Sequence, residues 1–127
     1  MATVEITSAN FEQVVTDNPI VILDFWAPWC GPCKSFGPVF EAASEKHTDI
    51  VFGKINSDDE QAIAAHFGIR SIPTVMVFRD QIIIYAQPGA LPAQGLDSVI
   101  EQTRALDMDK IRTELAEQAQ EAQQQQQ

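Results

Sequence analysis

Cysteine is scarce in this chain, and so are basic side chains. The 127 residues include two cysteines, Cys30 and Cys33, and a disulfide closing so short a loop removes little unfolded-state entropy. A stabilising structural disulfide is therefore a poor explanation of the pair. Lys and Arg number 8 against 18 Asp and Glu, which gives a net charge of −10. Because nucleic acids and anionic membranes bind clustered positive charge, neither is expected as a partner.

Long hydrophobic runs are also missing. No stretch approaches the roughly 18 apolar residues that span a membrane, and residues 1–5 are too polar for a signal peptide. We therefore expect a soluble cytoplasmic protein. Cysteines are normally reduced in that compartment, so a disulfide between these two should be transient and catalytic.

Metal ligands are few as well. Zinc prefers four nitrogen or sulfur ligands, and only Cys30, Cys33, His47 and His66 supply them. Their spacing matches no common arrangement, and His66 suits the polar tip of a short helix. We therefore predict no metal site.

The apolar periodicity predicts the element order β-α-β-α-β-α-β-β-α. The predicted strands lie near 4–6, 20–26, 50–55, 74–79 and 82–86, and the helices near 10–17, 33–47, 56–67 and 92–106. A parallel β-α-β unit followed by an antiparallel hairpin is typical of an α/β fold. We predict a central mixed five-stranded sheet flanked by four helices.

The chain divides into a domain at 1–106 and an extension at 107–127. Ile111, Leu115 and Ala119 recur at helical spacing in the extension, and five glutamines follow. This pattern predicts a marginal helix that frays into a disordered tail. We expect the whole extension to be solvated. The alternatives are that it docks on the domain or pairs with another chain.

The cysteine pair has the spacing of a redox couple. At i, i+3 on the first turn of a helix, two Cα atoms lie about 5 Å apart, which a disulfide accepts without backbone movement. The helix N-terminus favours a thiolate at Cys30. We expect Cys30 to attack a substrate disulfide, and Cys33, more shielded in the helix, to resolve the mixed disulfide.

Several motifs accompany the pair in a fixed order. They are Asp24-Phe25-Trp26-Ala27, Trp29-Cys30-Gly31-Pro32-Cys33-Lys34, Pro38, Gly68-Ile69-Arg70-Ser71-Ile72-Pro73-Thr74 and Gly89-Ala90-Leu91. Together they resemble the thioredoxin family over nearly all of residues 1–106. The resemblance implies the thioredoxin fold and a protein-disulfide reductase that carries electrons and binds no cofactor itself.

Asp24 is the one charge in an otherwise apolar strand. Burial of a carboxylate without partners costs several kcal/mol, so this residue should be protonated, hydrated or paired. The resemblance implies an acid/base that takes the proton of Cys33 through water, with Lys54 as its partner. An edge-facing Asp24 and a solvent-directed Lys54 are the alternatives.

The resemblance also implies a substrate groove beside the cysteines. It assigns Pro73 a cis peptide bond, although few X–Pro bonds in folded proteins are cis. Backbone groups there are expected to bind an extended substrate segment like an added strand. The predicted groove residues are Trp29, Gly31, Pro32, Ile72, Pro73 and Gly89.

The expected partners follow from the same resemblance. Disulfide-containing proteins are the substrates, and an NADPH-dependent flavoprotein, thioredoxin reductase, supplies electrons to a monomeric protein. A non-catalytic binding or chaperone-like module on the same fold is the alternative. An oxidant or isomerase uses the same residue types with a different dipeptide between the cysteines.

Overall fold

The computed structural model describes residues 2–125, which form five strands and five helices. In chain order they are β1 Thr3–Glu5, α1 Phe11–Asp17, β2 Ile20–Trp26, α2 Gly31–Lys46, β3 Val51–Asn56, α3 Gln61–His66, β4 Thr74–Arg79, β5 Ile82–Pro88, α4 Ala93–Ala105 and α5 Met108–Gln125. The predicted order of elements is confirmed, and a fifth helix is added at its end.

The strands form one mixed sheet in the order β1-β3-β2-β4-β5. The first three are parallel, β4 runs antiparallel to β2, and β5 runs antiparallel to β4. Strand β2 is central and buried on both faces, which explains its continuous apolar run. The predicted five-stranded mixed sheet is confirmed.

Each face of the sheet carries its own apolar core. On one face, Phe36 and Phe40 of α2 pack with Leu96 and Ile100 of α4. On the other, Ile63 of α3 packs beneath residues of α1 and β2. Because side chains alternate along a strand, β2 contributes to both cores and is held rigidly. The residues that follow its carboxyl end are therefore fixed in position.

Helix α2 begins earlier than the sequence predicts. The predicted start is Cys33, whereas the helix begins at Gly31 with Cys30 as its N-cap. Gly31 and Pro32 are tolerated there because the first N–H groups of a helix have no intrahelical partner. The helix continues past Pro38 to Lys46.

The helix predicted in the C-terminal extension is present and runs from Met108 to Gln125, farther than the sequence predicts, since a disordered tail is expected at its end. At the start of this helix, the side chain of Asp107 accepts a hydrogen bond from the N–H of Lys110 at 3.1 Å. Met108 is buried. Glutamine is a good helix former, which favours continuation into the Gln-rich segment. Residues 126–127, the last of the predicted tail, lie outside the described residues.

Between residues 2 and 125, no helix has the combined length and apolar character that crossing a membrane demands.

Candidate active site

The two cysteines lie at the amino end of α2, just beyond the carboxyl end of β2. They form a disulfide with Cα atoms 5.3 Å apart, close to the separation predicted from helical spacing. Sγ of Cys30 caps the helix by accepting from the N–H of Cys33 at 3.2 Å. A partial negative charge on that sulfur is therefore stabilised by a backbone donor and by the positive end of the helix.

The two cysteines are buried to the same extent. Cys30 is 4% exposed and Cys33 is 5% exposed, so the expectation that Cys33 is the more shielded is wrong for the disulfide form. The two cysteines form one apolar cluster with Ala27, and Trp26 and Ile72 pack against it. Position at the cap, rather than exposure, distinguishes Cys30 from Cys33.

A second loop brings the predicted groove residues against the disulfide. Sγ of Cys30 lies 3.6 Å from the carbonyl oxygen of Ile72, and the Ile72–Pro73 peptide bond is cis. The N–H of Gly89 donates to the carbonyl of Pro73 at 2.8 Å. Gly89 has a φ of +114°, which glycine adopts without strain. This internal bond occupies the N–H of Gly89, so that group is not free for a ligand.

Trp29 lies on the surface beside the cysteines. It is 69% exposed, and its indole N–H contacts both carboxylate oxygens of Asp58 at 3.1 and 3.2 Å. Gly31 and Pro32 are exposed as well, and no atom lies within 4 Å of the position that a Cβ would take at Gly31. Sequence analysis missed Asp58, because a partner 29 residues away leaves no local pattern.

Asp24 is fully buried, and neither of its carboxylate oxygens has a hydrogen-bond partner among the described residues. Burial raises the pKa of Asp24 to about 7, and the positive charge of Lys54 opposes that rise. The edge-facing alternative is thereby excluded.

Lys54 is the neighbour of Asp24 across the β2–β3 pairing. Its ammonium lies 5.0 Å from the ring centre of Trp26, a cation–π distance. No ion pair joins Lys54 to Asp24 among the described residues. The structure therefore makes the two residues neighbours without making them a salt bridge.

Two recesses flank the disulfide. The first, of about 370 Å³, is lined by Cys33, Lys34, Glu41 and Lys54 among others. The second, of about 340 Å³, is bordered by Trp29, Asp58, Arg70 and Ile72 among others. Neither resembles a metal site, since no three His, Cys, Asp or Glu side chains of residues 2–125 gather as possible ligands.

A disulfide at a helix N-terminus, on a mixed sheet of this topology, defines a thiol–disulfide oxidoreductase site. The family model described as Thioredoxin matches residues 2–102.

Similar proteins agree in sequence and in fold. Putative thioredoxin 2 of Streptomyces coelicolor is 56% identical over 117 residues, covering 92% of this chain and 87% of the relative. Thioredoxin of Haemophilus influenzae is 46% identical over 99 residues, covering 76% and 92%. A solved structure of a mutant thioredoxin from Halobacterium salinarum superposes with a TM-score of 0.77 at 33% identity, covering 83% and 93%.

The chain belongs to the thioredoxin family. It is a protein-disulfide oxidoreductase that acts by dithiol–disulfide exchange through Cys30 and Cys33. A non-catalytic binding or chaperone-like role is not favoured.

Proposed function

We propose that this protein reduces protein disulfides, with Cys30 as the attacking thiolate and Cys33 as the resolving thiol. The Cys30 thiolate attacks one substrate sulfur, and the other leaves as a thiol after taking a proton. Cys33 then attacks Sγ of Cys30, which yields the protein disulfide and the second substrate thiol. Two electrons pass to the substrate, and of the two protons it takes, one comes from Cys33 and the other from solvent, since Cys30 reacts as a thiolate. The single observation that carries this assignment is the cap bond from the N–H of Cys33 to Sγ of Cys30.

The gain from activating Cys30 is modest. Lowering a thiol pKa from about 8.5 to about 7 raises the thiolate fraction at pH 7 from roughly 3% to 50%. Nucleophilicity falls about fivefold at a Brønsted slope near 0.45, so the net gain in attack is about threefold. When Cys33 attacks Sγ of Cys30, the substrate sulfur is the leaving group, so the rate of that step depends on the pKa of the substrate thiol.

Asp24 is proposed as the base for Cys33. A carboxyl group whose pKa is about 7 exchanges protons readily at neutral pH. No direct contact joins Asp24 to Cys33 among the described residues, so the proton passes through water. Lys54 lines the recess of Cys33 and is the cross-strand neighbour of Asp24. This position supports the proposal that its positive charge favours the ionised form of Asp24.

The substrate-binding groove is proposed to lie between the helix start and the cis-proline loop. The proximity of Ile72 to Cys30 supports this placement, because a segment lying beside Ile72 meets the reactive sulfur. The proposed contact residues are Trp29, Gly31, Pro32, Ile72, Pro73 and Gly89. The N–H of Gly89 is already bonded to the carbonyl of Pro73. Gly89 is therefore proposed to act by letting the substrate backbone come close, since it has no side chain.

Membership of the thioredoxin family supports three further proposals, on the electron donor, on the oligomeric state and location, and on the domain organisation. Thioredoxin reductase, the NADPH-dependent flavoprotein, is the electron donor. The protein acts as a monomeric electron carrier in the cytoplasm. Residues 1–106 form the catalytic domain and residues 107–127 an appended segment.

The experiment that tests the roles of the cysteines is a covalent trap in cell extract. Cys33→Ser should retain substrate proteins as mixed disulfides at Cys30 that dithiothreitol releases. The matched control, Cys30→Ser, should retain far fewer, because its remaining thiol lacks the cap position. Equal capture by both variants, or no thiol-reversible adducts with Cys33→Ser, would contradict the assignment.

A further inference from the structure

Six of the eight Lys and Arg side chains fall into two groups according to the end of the sheet at which they lie. Far from the disulfide, near the amino end of β2, four of them are held by partners. These are Lys46 on Asp97, Arg104 on Asp49, Arg112 on Asp80 and Asp109, and Arg79 on the carbonyls of Thr103, Arg104 and Leu106. Positive charge at that end is used to hold the fold together.

Beside the disulfide, Lys34 and Arg70 are exposed and free. Within residues 2–125 neither side chain forms an ion pair or a hydrogen bond. Lys34 follows Cys33 and lines the first recess, while Arg70 lines the second together with Trp29 and Ile72. One exposed, unpaired cation therefore lies on each side of the reactive sulfurs, and the half-buried Lys54 also lines the first recess.

Carboxylates at this end accept hydrogen bonds from neutral donors or lie unpaired, and none forms an ion pair with Lys34 or Arg70 among the described residues. Asp58 accepts from the indole of Trp29, and Glu60 accepts from the N–H of Ser8 at 2.7 Å. Glu41 is half-buried in the recess of Lys34 without pairing with it. The linings of the two recesses therefore hold three cations, Lys34, Lys54 and Arg70, against two carboxylates, Glu41 and Asp58. The positive end of α2 adds to the positive side of this balance.

We propose that Lys34 and Arg70 make this protein select disulfides flanked by Asp or Glu. The proposal rests on the proposed function, since it concerns the substrate segment that reaches Cys30. A chain of net charge −10 repels acidic partners in general, but screening confines that repulsion to about 8–10 Å in physiological salt. At the docking face Lys34 and Arg70 are exposed and unpaired, so an acidic flank that reaches them gains attraction at contact distance, which raises the association rate.

The expected size of the effect is that of exposed ion pairs. Each cation should favour an acidic flank over a neutral one by about threefold, and the two together by about tenfold, since they lie in separate recesses. High salt should remove most of this preference, because the Debye length falls to about 3 Å at 1 M.

The test uses the reduced full-length protein and synthetic peptides with one intramolecular disulfide. The matched peptides differ only in flanking residues, which are two aspartates, two asparagines or two lysines. The second-order rate constant of peptide reduction is measured for wild type, Arg70→Gln, Lys34→Gln and the double variant. Lys110→Gln on α5 removes an equal charge away from the site, and Arg70→Lys restores the charge at the site.

The proposal expects an acidic-to-neutral rate ratio of about 10 in wild type, about 3 in either single variant and about 1 in the double variant. Lys110→Gln should keep the wild-type ratio, and Arg70→Lys should recover most of it. A ratio near 1 in wild type, or one that Lys110→Gln lowers as much as Arg70→Gln, overturns the selection by these residues. If no peptide is reduced, whatever its flanks, the proposed reductase function itself fails.

Discussion

Charged side chains are mostly paired at one end of the sheet and mostly unpaired at the other. At the amino end of β2, carboxylates and carbonyls pair with Lys46, Arg79, Arg104 and Arg112. At the carboxyl end, Asp24 is buried without a hydrogen-bond partner among the described residues. Lys34 and Arg70 stand unpaired at the same end. The first arrangement stabilises the fold, and the second leaves charged groups without partners beside the disulfide.

This difference explains how a small domain supports a reactive site. Helix α2, 16 residues long, extends about 24 Å from one end to the other. Interactions at its carboxyl end are therefore separate in space from the disulfide at its amino end. Substitutions at the two ends should accordingly have separable effects on stability and on disulfide exchange.

The largest expected effect is a gain in stability from Asp24→Asn. The pKa of Asp24 is about 7 in the folded protein against an ordinary value of 3.8, so the folded state binds the proton more tightly. Wild-type stability therefore falls as pH rises from about 4 to 7 and is level above that range. The gain in the free energy of unfolding should reach about 4 kcal/mol at pH 8.

Urea unfolding of the oxidised proteins at pH 4 and pH 8 measures this gain. Little difference is expected at pH 4, where the carboxyl group is largely protonated in the folded state. An equal gain at both pH values would show that Asp24 does not titrate as described.

Arg79→Met should have the next largest effect, and of opposite sign. The guanidinium of Arg79 donates to the carbonyls of Thr103, Arg104 and Leu106 at the end of α4. Loss of charged hydrogen bonds to these carbonyls should lower the free energy of unfolding by about 2–3 kcal/mol. Disulfide reduction at 25 °C should be unchanged, and Arg79→Lys should recover part of the stability. A variant that lost activity while staying folded would contradict the separation of the two ends.

Two truncations of α5 should differ in their effects. Ending the chain after Asp107 removes the buried side chain of Met108 and the Arg112–Asp80 ion pair, so a loss of about 2 kcal/mol is expected. Ending it after Thr113 removes residues 114–125, all of which are exposed, together with 126–127, and should leave the unfolding temperature nearly unchanged. Thermal unfolding of both proteins checks this, and equal losses would mean that the outer part of α5 packs on the domain.

The smallest effect is expected at the exposed Arg104–Asp49 pair. The hydrogen bond from Arg104 holds the pKa of Asp49 at about 2, below its ordinary value of 3.8. The stabilisation is therefore present above about pH 4 and is lost as pH falls toward 2. Asp49→Asn should lower the unfolding temperature slightly at pH 7 in low salt, less at 1 M salt, and not at pH 2. A deficit that persists at pH 2 would point to packing rather than charge.

Much of this picture could be predicted from sequence, because the relevant patterns are local. The apolar run of β2 and the spacing of Cys30 and Cys33 indicate a buried strand and a closable pair within a few residues. Two contacts were not predictable, because their partners are far apart in the sequence. Trp29 and Asp58 are separated by 29 positions, and Arg79 is 24 positions from the first of its partners at the end of α4. The equal burial of the two cysteines likewise depends on Ile72, which only the folded chain brings near.

The central claim is that the buried, unpaired Asp24 is retained for its chemistry, as the base that takes the proton of Cys33. The pH dependence of resolution tests this most directly. A mixed disulfide between Cys30 and a small thiol is followed by rapid mixing as Cys33 displaces that thiol. Because Cys30 does not titrate in this state, the wild-type rate should rise with pH through about 7, following the pKa of Asp24. In Asp24→Asn the rate should be about tenfold lower or more at pH 8, with the rise near pH 7 lost. An unchanged rate and profile in Asp24→Asn would contradict the account.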